Sequence, residues 1–260
     1  MIFLAIIHNL KDEKLNNPIL LVGLPGIGLV GKIAIDFVDE KLKGKKIGTI
    51  YSTHFTPAGI TFKGEIGLIQ DEFSVIKTKK RDIVLLKGLA QPSLFENVYP
   101  EAHYEFAKEI IKIAKKLGIK EIYTFGGLDI ADSRITKEPE LFFVTTNLKK
   151  KDPKKYAKLL TDEITISGVS GLTLGFAKEE GIQGYCILSE TTSKLIYGDF
   201  ESAKKMLEFI TKYFELKLDL KDIDKEAKKI SKAFKEVQNA LKQLSKEEVP
   251  ESNSNPSYVR

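Results

Sequence analysis

Residues 19–32 read Ile-Leu-Leu-Val-Gly-Leu-Pro-Gly-Ile-Gly-Leu-Val-Gly-Lys, and the fold class follows from this stretch. Its first four residues are all apolar, which is typical of a strand buried on both faces of a parallel sheet. A glycine-rich turn at 23–28 comes next, and an amphipathic helical pattern follows from residue 29. Residues 46–51 have the composition of another strand. The stretch therefore predicts a β-α-β unit.

The same alternation of strand and helix continues along the chain. Further strands are predicted at 2–7, 83–87, 121–125, 141–146 and 185–188, and helices at 101–117, 154–160, 172–179 and 201–214. Between residues 57 and 79 the hydrophobic period changes to two and glycines recur, which predicts an antiparallel hairpin. Together the patterns predict an α/β fold: a three-layer α/β/α sandwich with a mainly parallel sheet and an antiparallel hairpin insertion.

A different repeat begins after the α/β pattern and predicts a long C-terminal heptad helix. Apolar residues recur there at alternating spacings of four and three, as in the seam of a coiled coil: Ile223, Ala227, Ile230, Phe234, Val237, Leu241 and Leu244. Because such a seam needs a partner, we expect a homo-oligomer held partly by this helix. The predicted units are an α/β domain at 1–216, the helix at 217–248 and a flexible polar tail at 249–260.

Composition excludes several classes of protein. Of the 260 residues, 42% are hydrophobic and 30% charged, which is enough for a sizeable core and a charged surface. One cysteine, Cys186, and three histidines without metal-ligand spacing predict neither a disulfide framework nor a metal site. The net charge of +5 comes mainly from lysines, which are poorer readers of phosphates and bases than arginines. We therefore expect a soluble, cytoplasmic protein without a nucleic-acid or membrane partner.

The glycine loop admits two interpretations. Gly26, Gly28 and Gly31 have the spacing G-x-G-x-x-G at the start of a helix, where amide groups can bind phosphate. However, Pro25 lacks one of those amides, and Ile33 stands where a P-loop needs a hydroxyl group. We therefore predict an architectural turn whose glycines let helix and sheet approach closely. It consists of Gly23, Pro25, Gly26, Gly28 and Gly31. A nucleotide-binding or ATP-dependent ligase-like enzyme that uses the Gly23–Gly31 loop is the alternative.

Two further groups of residues could support chemistry. The first group, Asp129, Asp132 and Arg134, follows the predicted strand at 121–125, and open α/β sheets bind ligands at such strand ends. The second group is Ser167, Ser170 and Glu190. No G-x-S-x-G motif surrounds these serines, and His8, His54 and His103 have no sequence link to them. No catalytic residue is therefore predicted, and a solvated polar loop is the plainer interpretation of the first group.

Two basic runs could contact an acidic partner surface. They are residues 77–81 and 149–155. No aromatic residues that could stack on bases interleave with the runs, which argues against single-stranded nucleic acid. Solvated turns are the plainer interpretation of both runs.

Five blocks of the sequence resemble the proteasome assembly chaperone 2 family, some of whose relatives are assigned to the ATP-grasp superfamily. The blocks are residues 21–32, Ala90-Gln-Pro92, Thr124-Phe-Gly-Gly127, Ser167-Gly-Val-Ser-Gly-Leu172 and Gly184-Tyr-Cys-Ile-Leu-Ser-Glu190. The chain looks like an archaeal member. The resemblance implies a non-enzymatic, ATP-independent α/β protein without a cofactor that self-associates and binds proteasome α-subunits, in assembly or in activation.

The resemblance also implies a role for the C-terminus. Some members of the family dock a C-terminal hydrophobic-Tyr-any tripeptide between α-subunits. This chain ends Ser257-Tyr258-Val259-Arg260, so its tyrosine is third from the end instead of second. A free carboxylate next to an aromatic and an aliphatic side chain still suits a pocket that contains a lysine. Tyr258, Val259 and Arg260 are therefore the predicted partner-binding residues.

Overall fold

The protein is built around a nine-stranded mixed sheet. The structure, a computed structural model, describes residues 5–8, 10–92, 101–135, 137–149 and 153–225. Its strands are β1 (Ala5–His8), β2 (Ile19–Gly23), β3 (Lys45–Ser52), β4 (Gly59–Phe62), β5 (Glu65–Leu68), β6 (Asp71–Ile76), β7 (Ile83–Lys87), β8 (Glu121–Asp129), β9 (Leu141–Thr145), β10 (Lys158–Leu159) and β11 (Gln183–Thr191). Its helices are α1 (Val30–Leu42), α2 (Glu101–Lys116), α3 (Gly168–Glu179) and α4 (Phe200–Tyr213), with short 3-10 turns at Ile27–Leu29 and Ala131–Ile135.

The central strands of the sheet are parallel, and antiparallel pairs lie on both sides of them, while the last pair at one edge, β9 and β10, is again parallel. Its strand order is β1-β3-β6-β7-β2-β8-β11-β9-β10, and β4 pairs only with β5. The four central strands, β7, β2, β8 and β11, are mutually parallel. Helices α1 and α4 pack on one face, and α2 and α3 on the other. The predicted three-layer α/β/α class, with its parallel sheet and hairpin insertion, is thereby confirmed.

Strand β2 is apolar throughout because it contributes to two cores. Leu21 faces the core under α1 and α4, whereas Leu20 and Val22 face the core under α2 and α3. Side chains of successive strand residues point to opposite faces, so only a strand covered on both sides uses an unbroken apolar run. Strand β3 runs in the same direction as β2 but lies three positions away, since β6 and β7 are inserted between them.

The helix predicted at 154–160 is wrong. The carbonyl of Pro153 accepts hydrogen bonds from the amides of Tyr156 and Ala157, which closes a single turn. The chain then extends, and β10 pairs in parallel with β9 at the sheet edge. One helical turn of suitable residues has little intrinsic stability, so pairing with an existing strand edge decides the conformation.

Most of the predicted C-terminal helix lies outside the described residues. Ile223 is 3% exposed and packs into the core under α1 and α4 of its own chain. The other six seam residues lie outside the described residues, as do Tyr258, Val259 and Arg260. The domain boundaries at 216 and 248 stay predictions. Within the described part of the chain, no helix has both the length and the apolar character needed to cross a membrane.

Candidate functional site

Exposed apolar side chains gather at one edge of the sheet. Strands β2, β3, β7, β8 and β11 all end at this edge, which we call the carboxyl edge, and open α/β sheets place binding loops there. Large apolar side chains are exposed after four of these strand ends: Ile27, Ile60, Phe62, Ile66, Leu68, Leu89, Ile196 and Tyr197. Scattered exposed apolar residues are ordinary, but their concentration at one edge is typical of an interaction surface.

The β4–β5 hairpin is the most apolar part of the carboxyl edge. Phe62 is 73% exposed and Ile66 is 76% exposed. Cross-strand register places Ile66 opposite Thr61, and Phe62 opposite Glu65, so Phe62 and Ile66 lie on opposite faces of the hairpin. A two-stranded hairpin has little stability of its own in water, and this one exposes apolar side chains on both faces. It is therefore suited to being covered by another protein surface.

The glycine loop packs directly against the rest of the fold. A Cβ atom at Gly31 would stand 2.8 Å from the carbonyl carbon of Phe125, and one at Gly23 would stand 2.6 Å from the Cβ of Ile35. Gly28 has a φ of +61° and faces the Thr191 side chain. Because neighbouring backbone and side-chain atoms occupy these positions, the loop lacks room for a side chain at Gly23, Gly28 and Gly31. The geometry supports the architectural interpretation, which stays a prediction.

Two carbonyl groups of the glycine loop are bound by distant parts of the chain. The carbonyl of Gly28 accepts a 2.7 Å hydrogen bond from the amide of Asp199. The side-chain amide of Gln91 donates to the carbonyl of Pro25, and its oxygen accepts from the amide of Val169 at 3.1 Å. Gln91 thus ties the loop to the start of α3. These contacts join residues from three of the five blocks quoted above and hold the carboxyl edge together.

The loop after β8 does not form a ligand site from its three charged residues. Asp132 makes an exposed ion pair with Lys194, and the Asp129 carboxylate accepts a 2.8 Å hydrogen bond from the amide of Ala131. Arg134 turns inward instead and is only 4% exposed. The structure thus separates the candidates that sequence spacing had grouped.

Arg134 forms a buried ion pair with Asp199. Its Nε lies 2.9 Å from Asp199 Oδ2, and its second terminal nitrogen lies 2.9 Å from Oδ1. Asp199 also caps α4, because its carboxylate accepts a hydrogen bond from the amide of Ser202. The same carboxylate accepts a hydrogen bond from the hydroxyl of Thr191. Sequence reasoning missed Asp199, although its position directly before the helix is the usual signal for a capping residue. This ion pair fixes the loop after β8 to the start of α4.

Asp71 is a second buried carboxyl group that the sequence analysis did not single out. It is the first residue of β6 and is fully buried. Burial raises the pKa of Asp71 well above its ordinary value, although the amides of Ala90 and Leu89 donate hydrogen bonds to the carboxyl group. Gly88 leaves room for it, since a side chain there would overlap Asp71. Asp71 therefore joins the hairpin's base to the loop after β7.

The structure does not bring Ser167, Ser170 and Glu190 together as a hydrolytic site. Both carboxylate oxygens of Glu190 are engaged elsewhere, one by Lys137 at 2.9 Å and the other by the amide of Glu140 at 3.0 Å. Ser167 stands before the first residue of α3. Glu190 serves to connect β11 to the segment that precedes β9.

The comparisons with known proteins agree with this architecture. The sequence model of the PAC2 family matches residues 20–238. An uncharacterized protein of Methanocaldococcus jannaschii is 33% identical over 227 residues, which cover 86% of this chain and 84% of that protein. Among solved structures, Pyrococcus furiosus PbaB, described as an archaeal proteasome activator, matches with a TM-score of 0.81 and 27% identity over 91% of this chain and 100% of PbaB.

A second solved structure has the same fold at lower identity. Pyrococcus furiosus PbaA, described as an archaeal homolog of proteasome-assembly chaperone, matches with a TM-score of 0.71 and 23% identity over 94% of this chain and 95% of PbaA. The roles described for PbaB and PbaA are those of an activator and an assembly-chaperone homolog, not of an enzyme. Because the family's sequence model spans most of its length, the chain belongs to the PAC2 family.

Proposed function

We propose that this protein is a non-enzymatic, oligomeric chaperone or adaptor that binds proteasome α-subunits. The observation that carries the proposal is the likeness to PbaB, a proteasome activator, over the full length of PbaB. The proposed role includes either assembly of the α-subunits or activation of the finished proteasome. The role needs no ATP and no cofactor, and it implies a cytoplasmic location.

Two surfaces are suited to the α-subunit contact. The first is the C-terminal tripeptide Tyr258 to Arg260, which follows a polar spacer. Ten extended residues after Pro250 would reach roughly 33 to 36 Å, enough to enter a pocket on a neighbouring protein. The second is the apolar β4–β5 hairpin at the carboxyl edge, where Phe62 and Ile66 are exposed. We assign the α-subunit contact to the tail.

Removal of residues 258–260 is expected to weaken binding to purified α-subunits by about tenfold or more. The truncation deletes the anchoring tyrosine and moves the terminal carboxylate to residue 257. Binding is measured by pull-down and by surface plasmon resonance. The matched control is Phe62→Ser with Ile66→Ser, which leaves the tail intact and should bind as the parent does.

Each alternative result has a distinct meaning. Full binding by the truncated protein, together with loss in the hairpin variant, would move the contact to the hairpin and contradict the tail assignment. A parent protein that binds no α-subunits, alone or as an assembled ring, would contradict the proposed function itself.

The homo-oligomer is also proposed to depend on the predicted heptad seam. Ile230→Glu with Phe234→Glu places two charges in that seam and is expected to reduce the assembly to smaller species in sedimentation velocity. Lys232→Glu with Lys235→Glu, on the predicted outward face, is the matched control and should keep the parent's sedimentation coefficient. A monomeric parent, or an unchanged seam variant, would show that the helix does not hold the assembly.

A further inference from the structure

A large cleft lies at the edge of the sheet opposite the carboxyl edge. Its volume is about 1190 Å³. The ends of β6 and α1, the starts of β7, β8 and β11, and the end of α4 contribute its walls. It is therefore separate from the glycine loop and from the hairpin.

The rim of this cleft carries a concentration of positive charge. Eight basic residues line it: Lys77, Lys79, Lys80, Arg81, Lys120, Lys155, Lys212 and Lys217. Among the described residues, Glu121 and Glu215 of the lining and Asp82 beside Lys77 oppose them, so the cations exceed the carboxylates by five, as many as the net charge of +5 of the whole chain. A cleft lined by one sign of charge focuses the electric field and attracts ligands of the opposite sign.

Several of these lysines are available to a ligand. Three of the cations are already paired: Arg81 with Glu121, Lys80 with Glu215 and Lys77 with Asp82. Lys120 and Lys212, by contrast, are exposed and form no ion pair within the described parts of the chain. Binding of a carboxylate to an unpaired lysine does not cost the free energy of an existing ion pair, because none has to be broken.

The cleft also has an aromatic wall. It includes Tyr123, Tyr156, Tyr185, Tyr213 and Phe214. Tyr123 and Tyr185 stack with ring centroids 5.0 Å apart and are each 2% exposed, so the half-buried rings of Tyr156, Tyr213 and Phe214 are the ones that a ligand can contact. The basic runs contain no interleaved aromatic residues; the fold supplies aromatic rings from β8, β11, the end of α4 and Tyr156, which directly follows the second run. A charged rim around an apolar wall suits a ligand with both characters.

We propose that this cleft binds an acidic peptide segment that carries an apolar or aromatic side chain. The volume of about 1190 Å³ lies just above the range of roughly 300 to 1,000 Å³ of small-molecule pockets, so a short stretch of peptide has room in it. Seven of the eight cations are lysines, whose flexible point charges suit several carboxylates in varied orientations along a peptide. We assign the peptide to another protein, because residues 226–260 of this chain, with seven basic and five acidic residues, carry the same sign of net charge as the rim.

The test uses the purified full-length protein alone, so its result does not depend on the proposed proteasome role. The probe is a fluorescein-labelled peptide of glutamates interrupted by phenylalanine, and binding is followed by fluorescence anisotropy at low and high salt. A peptide with glutamine in place of each glutamate tests the charge requirement, and labelled oligo-dT tests for nucleic acid.

Lys120→Glu with Lys212→Glu is expected to weaken peptide binding by about tenfold at low salt and by less at high salt, because screening removes most of the attraction. The matched control is Lys11→Glu with Lys178→Glu, which changes the net charge equally with two exposed lysines outside the cleft. It should bind as the parent does, and both variants should keep the parent's Tm within a few degrees.

Four results would overturn the proposal: a parent that does not bind the glutamate peptide, equal weakening in the control variant, equal binding of the glutamine peptide, or tighter binding of oligo-dT. The last result would assign the cleft to nucleic acid instead. Binding that requires glutamate and is lost only in the Lys120 and Lys212 variant supports the acidic-peptide site.

Discussion

Gly31→Ala is expected to destabilise the fold by about 3 kcal/mol, the upper range for overpacking a core. Its new Cβ would overlap the backbone carbonyl of Phe125 in the central strand β8. Strand β8 is hydrogen-bonded on both sides, by β2 and β11, so its backbone cannot move away. Helix α1 must shift instead, which opens the core beneath it. Urea unfolding of the parent and the variant measures the difference.

Gly26→Ala is the matched control for this prediction. Gly26 belongs to the same loop, but a Cβ there meets nothing within 4 Å. Its backbone is extended, with φ of −162°, a conformation that alanine adopts freely. We expect its free energy of unfolding to stay within about 0.5 kcal/mol of the parent.

The direction in which Gly31→Ala changes the free energy of unfolding tests the architectural interpretation of the loop against the nucleotide-binding one. Without a clash, alanine inside a helix is more stable than glycine by about 1 kcal/mol. A Gly31→Ala protein of unchanged or greater stability would therefore contradict the packing argument. If that protein had also lost a nucleotide affinity that the parent possesses, the enzyme alternative would replace the architectural interpretation.

Arg134→Met is expected to cost about 3 to 5 kcal/mol of stability, as is typical when one partner of a buried ion pair is removed. The substitution leaves the carboxylate of Asp199 buried without its cation, while methionine fills much of the vacated space. The loop after β8 and the start of α4 should loosen together, because Arg134 joins them. Thermal and urea unfolding measure the loss.

Two further variants test whether the uncompensated charge causes that loss. Adding Asp199→Asn to Arg134→Met removes the charge while the amide oxygen can still accept the capping hydrogen bond from Ser202, and it should restore part of the stability. Lys194→Met breaks the exposed pair with Asp132 and should change stability by less than about 1 kcal/mol. If Arg134→Met resembles Lys194→Met, the buried pair contributes little.

The helices and most of the strands could be predicted from the sequence because their patterns are local. The unbroken apolar run of β2 and the alternation around the hairpin each depend on neighbouring residues only. The helix predicted at 154–160 failed for the complementary reason. Its outcome depends on β9, a strand edge that the local pattern does not contain.

The sequence by itself determined the fold class, the hairpin, the glycine-rich turn and the resemblance to a chaperone family. Only the tertiary structure decided which distant residues meet. Gln91 reaches the glycine loop across 66 positions and Arg134 reaches Asp199 across 65. The basic runs become a cleft only when α4 and the starts of β8 and β11 supply its other walls. Such contacts depend on strand order and helix packing, which are set when the apolar surfaces of all elements are buried together. A periodic pattern within one segment shows which of its faces is buried, but not which distant segment will cover that face.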